Sequence, residues 1–214
     1  SPLALDSRPS SDTDVARALR NWTAWNWLSG GQFVEQIVHT IDGMVWSMNE
    51  QLPLAAFGSG GRAQRRDDGD VWDHYDVYFE YDHNVAAHIS CRQWVGCHGE
   101  IVDRTVCEKG MLVTPYRPHI QADKRWRFRG ERGNMYADTH VAFYRFLRSG
   151  TWKQTLESAA NKTLVAIMGR EAAHTGQRIT WEQIKKSATR LVPEDLTMDT
   201  PLPPARIPRP GRAA

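Results

Sequence analysis

The sequence predicts an α+β fold: an open, mainly antiparallel β-sheet with helices packed on one face. Three observations predict it. Apolar residues recur at three-and-four spacing from Gly30 to about Asn49, the period of an amphipathic helix. From there to about Gly130 the pattern alternates with period two, in short segments separated by turn residues. After Asn134 the helical period returns. Strands that follow one another without intervening helices pair as antiparallel hairpins, so the middle segment reads as one meander with a covered face.

The elements follow in order. Residues 1–19 contain Pro2 and Pro9 and read as an N-terminal arm; residues 20–200 form the α+β domain. Trp22, Trp25 and Trp27 crowd the approach to a Gly30-Gly31 break. In the long helix beyond it, Val34, Ile37, Val38, Ile41, Val45 and Met48 make a buried stripe. Glu35, His39, Asp42 and Trp46 share a second line at the same spacing.

Leu54 to Ala63 is a strand ending in glycines. Tyr75, Val77, Phe79 and Tyr81 alternate with Asp76, Tyr78 and Glu80, and the turn from Tyr81 to Asn84 leads into Val85–Trp94 as the hairpin partner. Ile101–Cys107 and Met111–Tyr116 pair about Lys109-Gly110, and Trp126-Arg127-Phe128 is a last strand. Met135–Leu147 and Ser158–His174 are amphipathic helices, with Gly176 as a stop. Thr180 caps a short final helix. Prolines recur over residues 201–214, which makes an extended C-terminal arm suited to lying along a partner surface or staying disordered.

Composition narrows the function classes. At 214 residues the chain has ample length for a core. Its net charge of +2 and lack of a basic block argue against nucleic acid, and no apolar run is long enough to cross a membrane. Cys91, Cys97 and Cys107 are odd in number with no CxxC pair, which argues against a disulfide framework or a structural zinc site. The chain opens at Ser1 without methionine, so an upstream segment is expected to have been removed. Cytoplasmic and secreted or periplasmic locations both stay open. Nine tryptophans supply platforms for sugar rings or ordinary core residues.

Several polar groups carry possible chemistry. Glu35, His39 and Asp42 read either as a tuned acid–base histidine or as a solvated helix face with a routine acid–imidazole pair. Asp73-His74 begins one strand of the hairpin and Arg92-Gln93 ends the other, so pairing brings them together. They offer hydrogen bonds to hydroxyl groups, or form a strand-end network. Glu35, His39, Asp73, His74, Cys97, His98 and His140 contain enough ligands for a metal, but apart from the Glu35/His39 pair their spacing matches no recognised motif. There is no P-loop, no G-x-S-x-G, no HExxH and no G-x-G-x-x-G between a strand and a helix.

As a set, Arg20-Asn21-Trp22, Trp27-Leu28-Ser29-Gly30-Gly31, Glu35-Gln36-x-Val38-His39-x-x-Asp42, Asp73-His74, Cys91-Arg92-Gln93, the run from Ile167 to Gly176 and Thr180-Trp181 resemble the C-terminal domain of the Gfo/Idh/MocA oxidoreductases. That family includes glucose–fructose oxidoreductase, inositol dehydrogenases and NAD-dependent glycosidases. The resemblance runs from about Arg20 to Gly211. It implies NAD(P) chemistry on a sugar or polyol, with the cofactor held by an N-terminal Rossmann domain that this chain does not contain. The family pattern GGxxxDxxxHxxD falls on Glu35 and His39, so the resemblance makes His39 the proton acceptor and Glu35 its partner. Glu35 replaces the commoner Asp, as in a subgroup that often carries secretion signals. Asp42, Asp73, His74, Arg92, Gln93 and Trp27 would contact substrate. Thr139 stands where an acid is expected before His140. The chain is then the substrate domain of a dehydrogenase, or a stand-alone domain acting without nicotinamide as a keto-sugar isomerase or lyase, with or without a metal, or a non-catalytic subunit. The open sheet face predicts a homo-oligomer.

Overall fold

The α+β order is observed, but as two four-stranded antiparallel sheets instead of one meander. The computed structural model describes residues 12–131, 133–151 and 155–211. They fold as two units, one comprising residues up to Cys97 together with those from Asn161 onward, the other His98–Ala160.

In the first unit, helix α1 (Asp14–Arg20) starts at Thr13, whose hydroxyl accepts from the Ala16 amide. The expected arm over residues 1–19 thus ends in a helix, fixed by burial of Val15 and Ala18; its first eleven residues lie outside the described ones. Short helices α2 (Asn26–Ser29) and α3 (Gln32–Glu35) flank the Gly30-Gly31 turn, and α4 (Val38–Ser47) follows. The single helix expected from Gly30 to Asn49 is thus interrupted at Gln36-Ile37. There both Gln36 and Ile37 amides donate to the Gln32 carbonyl, which widens one turn. The apolar stripe survives the break: Ile41 and Val45 are fully buried, and Val34, Ile37, Val38 and Met48 pack against the same core.

Strands β1 (Ala55–Gly61), β2 (His74–Glu80) and β3 (Ala86–Arg92) pair antiparallel, and β8 (Ile179–Thr180) adds to the outer edge of β1, giving the order β3-β2-β1-β8. The β2–β3 turn places His83 and Asn84 at φ 59° and 58°, a conformation in which Asn and His are enriched among non-glycine residues. Strand β8 escapes a periodicity reading because two residues show no alternation. On β2, Tyr75, Val77 and Phe79 face inward and meet helix α6 (Leu156–Thr175) through Val165, Met168 and Ala172. Each large apolar side chain so buried contributes roughly 1.5–3 kcal/mol. On the other face Phe57 and Tyr78 stack across strands while exposed, with centroids 4.9 Å apart. Helix α7 (Trp181–Lys185) begins with a full capping box between Thr180 and Gln183.

The sheet stops after β3 for a local reason. The Gln93 amide donates to the Asp73 carbonyl, the Trp94 indole donates to the Asp73 carboxylate, and Gly96 turns the chain at φ 76°. The second unit contains β4 (Asp103–Cys107), β5 (Gly110–Thr114), β6 (His119–Gln121) and β7 (Trp126–Arg127), in sequential order. Helix α5 (Met135–Ser149) is capped by the Asn134 side chain, which accepts from the Tyr136 and Ala137 amides.

The proline-rich arm is held by its own unit. Leu202 donates its amide to Asp14, and Gly211 donates to the Thr175 carbonyl. Prolines have no N–H to offer, so anchoring falls to the residues between them. Residues 212–214 lie outside the described ones.

Gly169 sets the depth at which α6 sits. A Cβ there would lie 2.6 Å from a Phe33 ring atom and 2.9 Å from Phe79. Alanine gains about 1 kcal/mol of helix propensity over glycine, whereas overpacking a filled core costs about 1–3 kcal/mol. Gly169→Ala is therefore expected to lower stability in urea unfolding; an increase would show that the rings yield without cost.

Candidate functional site

Three polar groups of the first unit are candidates for a functional site. The first is the outer line of the opening helices. Glu35 ends α3, while His39 and Asp42 are exposed on α4, as is Trp46 at 66%. The Glu35 carboxylate accepts from the Gln36 side chain at 2.6 Å, and Asp42 pairs with Lys162 of α6 at 2.6 Å. Lys162 also pairs with Glu50 at 3.1 Å, and these two carboxylates raise its ammonium pKa. The acid–imidazole pairing allowed by the spacing is not made, because the break at Gln36-Ile37 separates the two residues' helices. The His39 ring forms no side-chain hydrogen bond or ion pair among the described residues and faces solvent.

The second group stands at the end of the β2–β3 hairpin, and here the predicted pairs do meet. His74 and Arg92 are register partners, and Gln93 bonds the Asp73 backbone at 2.8 Å. Asp73 is 2% exposed, yet both its oxygens are fully used. They accept from the amides of Ala63, Gln64 and Arg65 at 2.8–3.0 Å, from the Trp94 indole at 3.1 Å and from His74 Nδ1 at 2.9 Å. Burial alone would raise the pKa of this carboxyl, but His74 and the amides hold it well below the usual carboxylate range. The Trp94 ring lies 5.2 Å from the His74 ring, and the Arg92 guanidinium sits 5.4 Å from the indole centroid. Asp73 is thus occupied as a local organiser, and His74, Arg92 and Trp94 form the side that meets solvent. Trp27 is half-buried in α2.

The third group did not emerge as a site from spacing. His174 of α6 bonds the Tyr75 hydroxyl through Nε2 at 2.9 Å, and its ring meets Trp72 edge-on at 4.5 Å. Burial, and then the charge of Arg170, push the His174 pKa down to about 3. Arg170, only 5% exposed, donates to the Gly30 carbonyl at 3.1 Å and to the Glu171 carboxylate at 2.7 Å. Asp70 accepts from the Asn26 amide at 2.7 Å, and burial raises its pKa against that bond. A charged pair inside the otherwise apolar run Val165–Ala173 was the available signal.

A nicotinamide dinucleotide needs a phosphate cradle, and the glycine-rich stretch does not make one. Gly58 and Gly60 lie within β1, where an added Cβ would strike the carbonyls of Asp76 and His74 at 2.7 and 2.4 Å. They serve strand packing, and both sheets are antiparallel, with no parallel β–α–β unit among the described residues. Among the described residues no group of three or more His, Cys, Asp or Glu could hold a metal ion. No helix among them is long and apolar enough to cross a membrane.

No protein-family model matches the chain, and no curated protein does. Solved structures do. A proposed oxidoreductase of Thermotoga maritima superposes with TM-score 0.61 at 20% identity, over 82% of this chain and 51% of that one. An aldose–aldose oxidoreductase from Caulobacter crescentus, complexed with glycerol, matches with TM-score 0.61 at 13% identity, over 74% of this chain and 50% of that one. The WlbA dehydrogenase of Bordetella pertussis, in complex with NADH and UDP-GlcNAcA, matches with TM-score 0.52 at 16% identity, over 81% and 51%. This chain therefore has the α+β fold found in these oxidoreductases, as the Gfo/Idh/MocA resemblance implies, and it spans about half of their length.

Two pH effects separate the buried groups. His174 is neutral when folded, while an unfolded histidine takes up a proton below about pH 6.5. The unfolded state then binds more protons, so stability falls as pH drops from there towards 3, by at most about 1.4 kcal/mol per unit. Urea titrations from pH 7 to 4 should show a flatter pH dependence for His174→Gln than for the wild type; equal slopes would refute a buried neutral His174. Asp73 has a depressed pKa, so its contribution is complete above about pH 4 and fades only in stronger acid. Asp73→Asn should therefore destabilise by about 2 kcal/mol or more at pH 7. The gap to the wild type should narrow in urea titrations below pH 4, and a constant gap would count against the depressed pKa.

Proposed function

We propose that the chain is the substrate-side domain of a Gfo/Idh/MocA-type oxidoreductase acting on a sugar or polyol. The observation that carries the reading is the solvent-facing His39, four residues after Glu35 and behind a double-glycine turn, on a domain with this fold. The neighbours' described ligands, glycerol and UDP-GlcNAcA, support a hydroxyl-rich substrate. NADH in the second of these complexes supports nicotinamide as hydride acceptor, supplied by a domain outside the residues described here.

Within this chain the chemistry is proton transfer. Oxidation of a secondary alcohol removes a hydride from carbon and a proton from oxygen. The His39 imidazole takes that proton, with Glu35 four residues earlier in sequence as its partner in the reaction. His74, Arg92 and Trp94 offer donors and an indole face to the remaining hydroxyls and ring. Trp27, Asp42, Asp73 and Gln93 are further substrate-side residues, with Asp73 acting through His74 and Trp94. The exposed Phe57–Tyr78 face supports association of copies.

The test is NAD(P)+ reduction by the full-length gene product over a panel of sugars and polyols. His39→Ala is expected to lower kcat by about 10²–10⁴-fold, with stability changed by less than about 0.5 kcal/mol because the side chain is exposed. Unchanged kcat would remove His39 from the mechanism. Turnover of a keto-sugar without nicotinamide would transfer the assignment to an isomerase or lyase. Titrating NAD+ into the 214-residue chain should show no saturable binding below about 1 mM, and micromolar binding would overturn the division of labour.

A further inference from the structure

We infer that Arg170 is a positioning residue: it holds the Gly30-Gly31 turn, and through that turn the segment carrying Glu35 and His39. The inference rests on the proton-transfer reading of those two residues. Arg170 is a cation almost withdrawn from water, and such a charge costs several kcal/mol unless it is paired. One guanidinium nitrogen spends its hydrogen bond on the Gly30 carbonyl at 3.1 Å, 140 residues earlier in the chain. The others hold the Glu171 carboxylate at 2.7 and 3.1 Å.

The carbonyl it holds sits at a demanding point of the backbone. Gly30 and Gly31 have φ of 76° and 81°, a region that side-chain-bearing residues rarely enter. The turn is closed in on several sides. The Gly31 amide donates to Ser29 Oγ at 2.9 Å, and a Cβ on Gly31 would meet Asn26 Oδ1 at 2.6 Å and the Tyr75 hydroxyl at 3.4 Å. The next carbonyl, that of Gly31, accepts from the amides of Val34 and Glu35, at 3.1 and 2.9 Å. No backbone amide donates to the Gly30 carbonyl among the described residues, so its hydrogen bond comes from Arg170. The backbone of Glu35 is thus one peptide removed from the Arg170 contact.

Arg170 is itself fixed from behind. It lies next to Gly169, where α6 meets Phe33 and Phe79 most closely, and one turn before His174 and its bond to Tyr75. The guanidinium fork spans Glu171 and Gly30 together, which a lysine ammonium, as a single point of charge, does less well.

The experiment compares wild type, Arg170→Met and Arg170→Lys in the full-length gene product. Removing the contact is expected to lower kcat by about ten- to a hundredfold, with KM moved by less than about threefold, since misplacement costs turnover more than binding. Arg170→Lys should recover part of the loss. Amide hydrogen exchange at Val34 and Glu35 should quicken by about tenfold in Arg170→Met, while the core strand β2 stays protected. The inference is overturned if exchange at these two amides does not change, or if lost activity merely tracks the unfolded fraction. Should Arg170→Met fail to fold, Arg170→Lys decides by the same exchange reading. If the wild type oxidises no polyol, the functional reading fails separately, and exchange still settles whether Arg170 holds the turn.

Discussion

The seating of α6 against the inner face of the first sheet is the constraint on which the neighbourhood of the candidate site depends. Gly169 lets that helix approach the rings of Phe33 and Phe79 to a distance no other residue would permit. Once the helix is at that depth, Arg170 and His174 lie on its inward side and need partners there. Arg170 reaches the glycine turn, and His174 reaches Tyr75 and Trp72. The apolar contact supplies the energy and the polar groups supply the register, since each must find its partner once water is excluded.

The first unit divides its charged groups by burial. Asp73 and Arg170 are nearly out of solvent, and each has a set of partners that stabilises a backbone feature: the loop over residues 63–65 and the turn at Gly30. His39, Asp42 and Arg92 are exposed, and Glu35 is half-buried. This is the distribution expected when a rigid interior supports side chains that must meet a ligand. Asp73 joins the two classes, because the carboxylate that gathers the loop amides also orients His74 and Trp94. The glycines of β1 belong to the interior class: they give strand backbones room, and they do not cradle phosphate.

Much of the first unit was legible in the sequence because local rules act there undisturbed. The period-two run Tyr75–Tyr81 became β2, and the hairpin register set His74 opposite Arg92 as the spacing required. The stripe from Val34 to Met48 went to the core, and Thr180 capped α7. The interruption at Gln36-Ile37 was not legible, since no proline or glycine marks it; it arises from two amides sharing one carbonyl. The split into two sheets was hidden for a related reason. Period two reports that strands exist, but the partner of each strand is chosen by where the chain leaves Asp73 and Trp94.

The candidate site divides along the same line. Sequence alone determined which residue types lie on one helix line and which pairs meet at a hairpin end, because both follow from backbone period and register. It also marked Gly30-Gly31 as a break. Only the tertiary structure decided that Glu35 turns to Gln36, that Asp42 pairs with Lys162, that Arg170 bonds the Gly30 carbonyl and that His174 bonds Tyr75. Those choices depend on which surfaces are left without water after the core closes, and no local pattern records that.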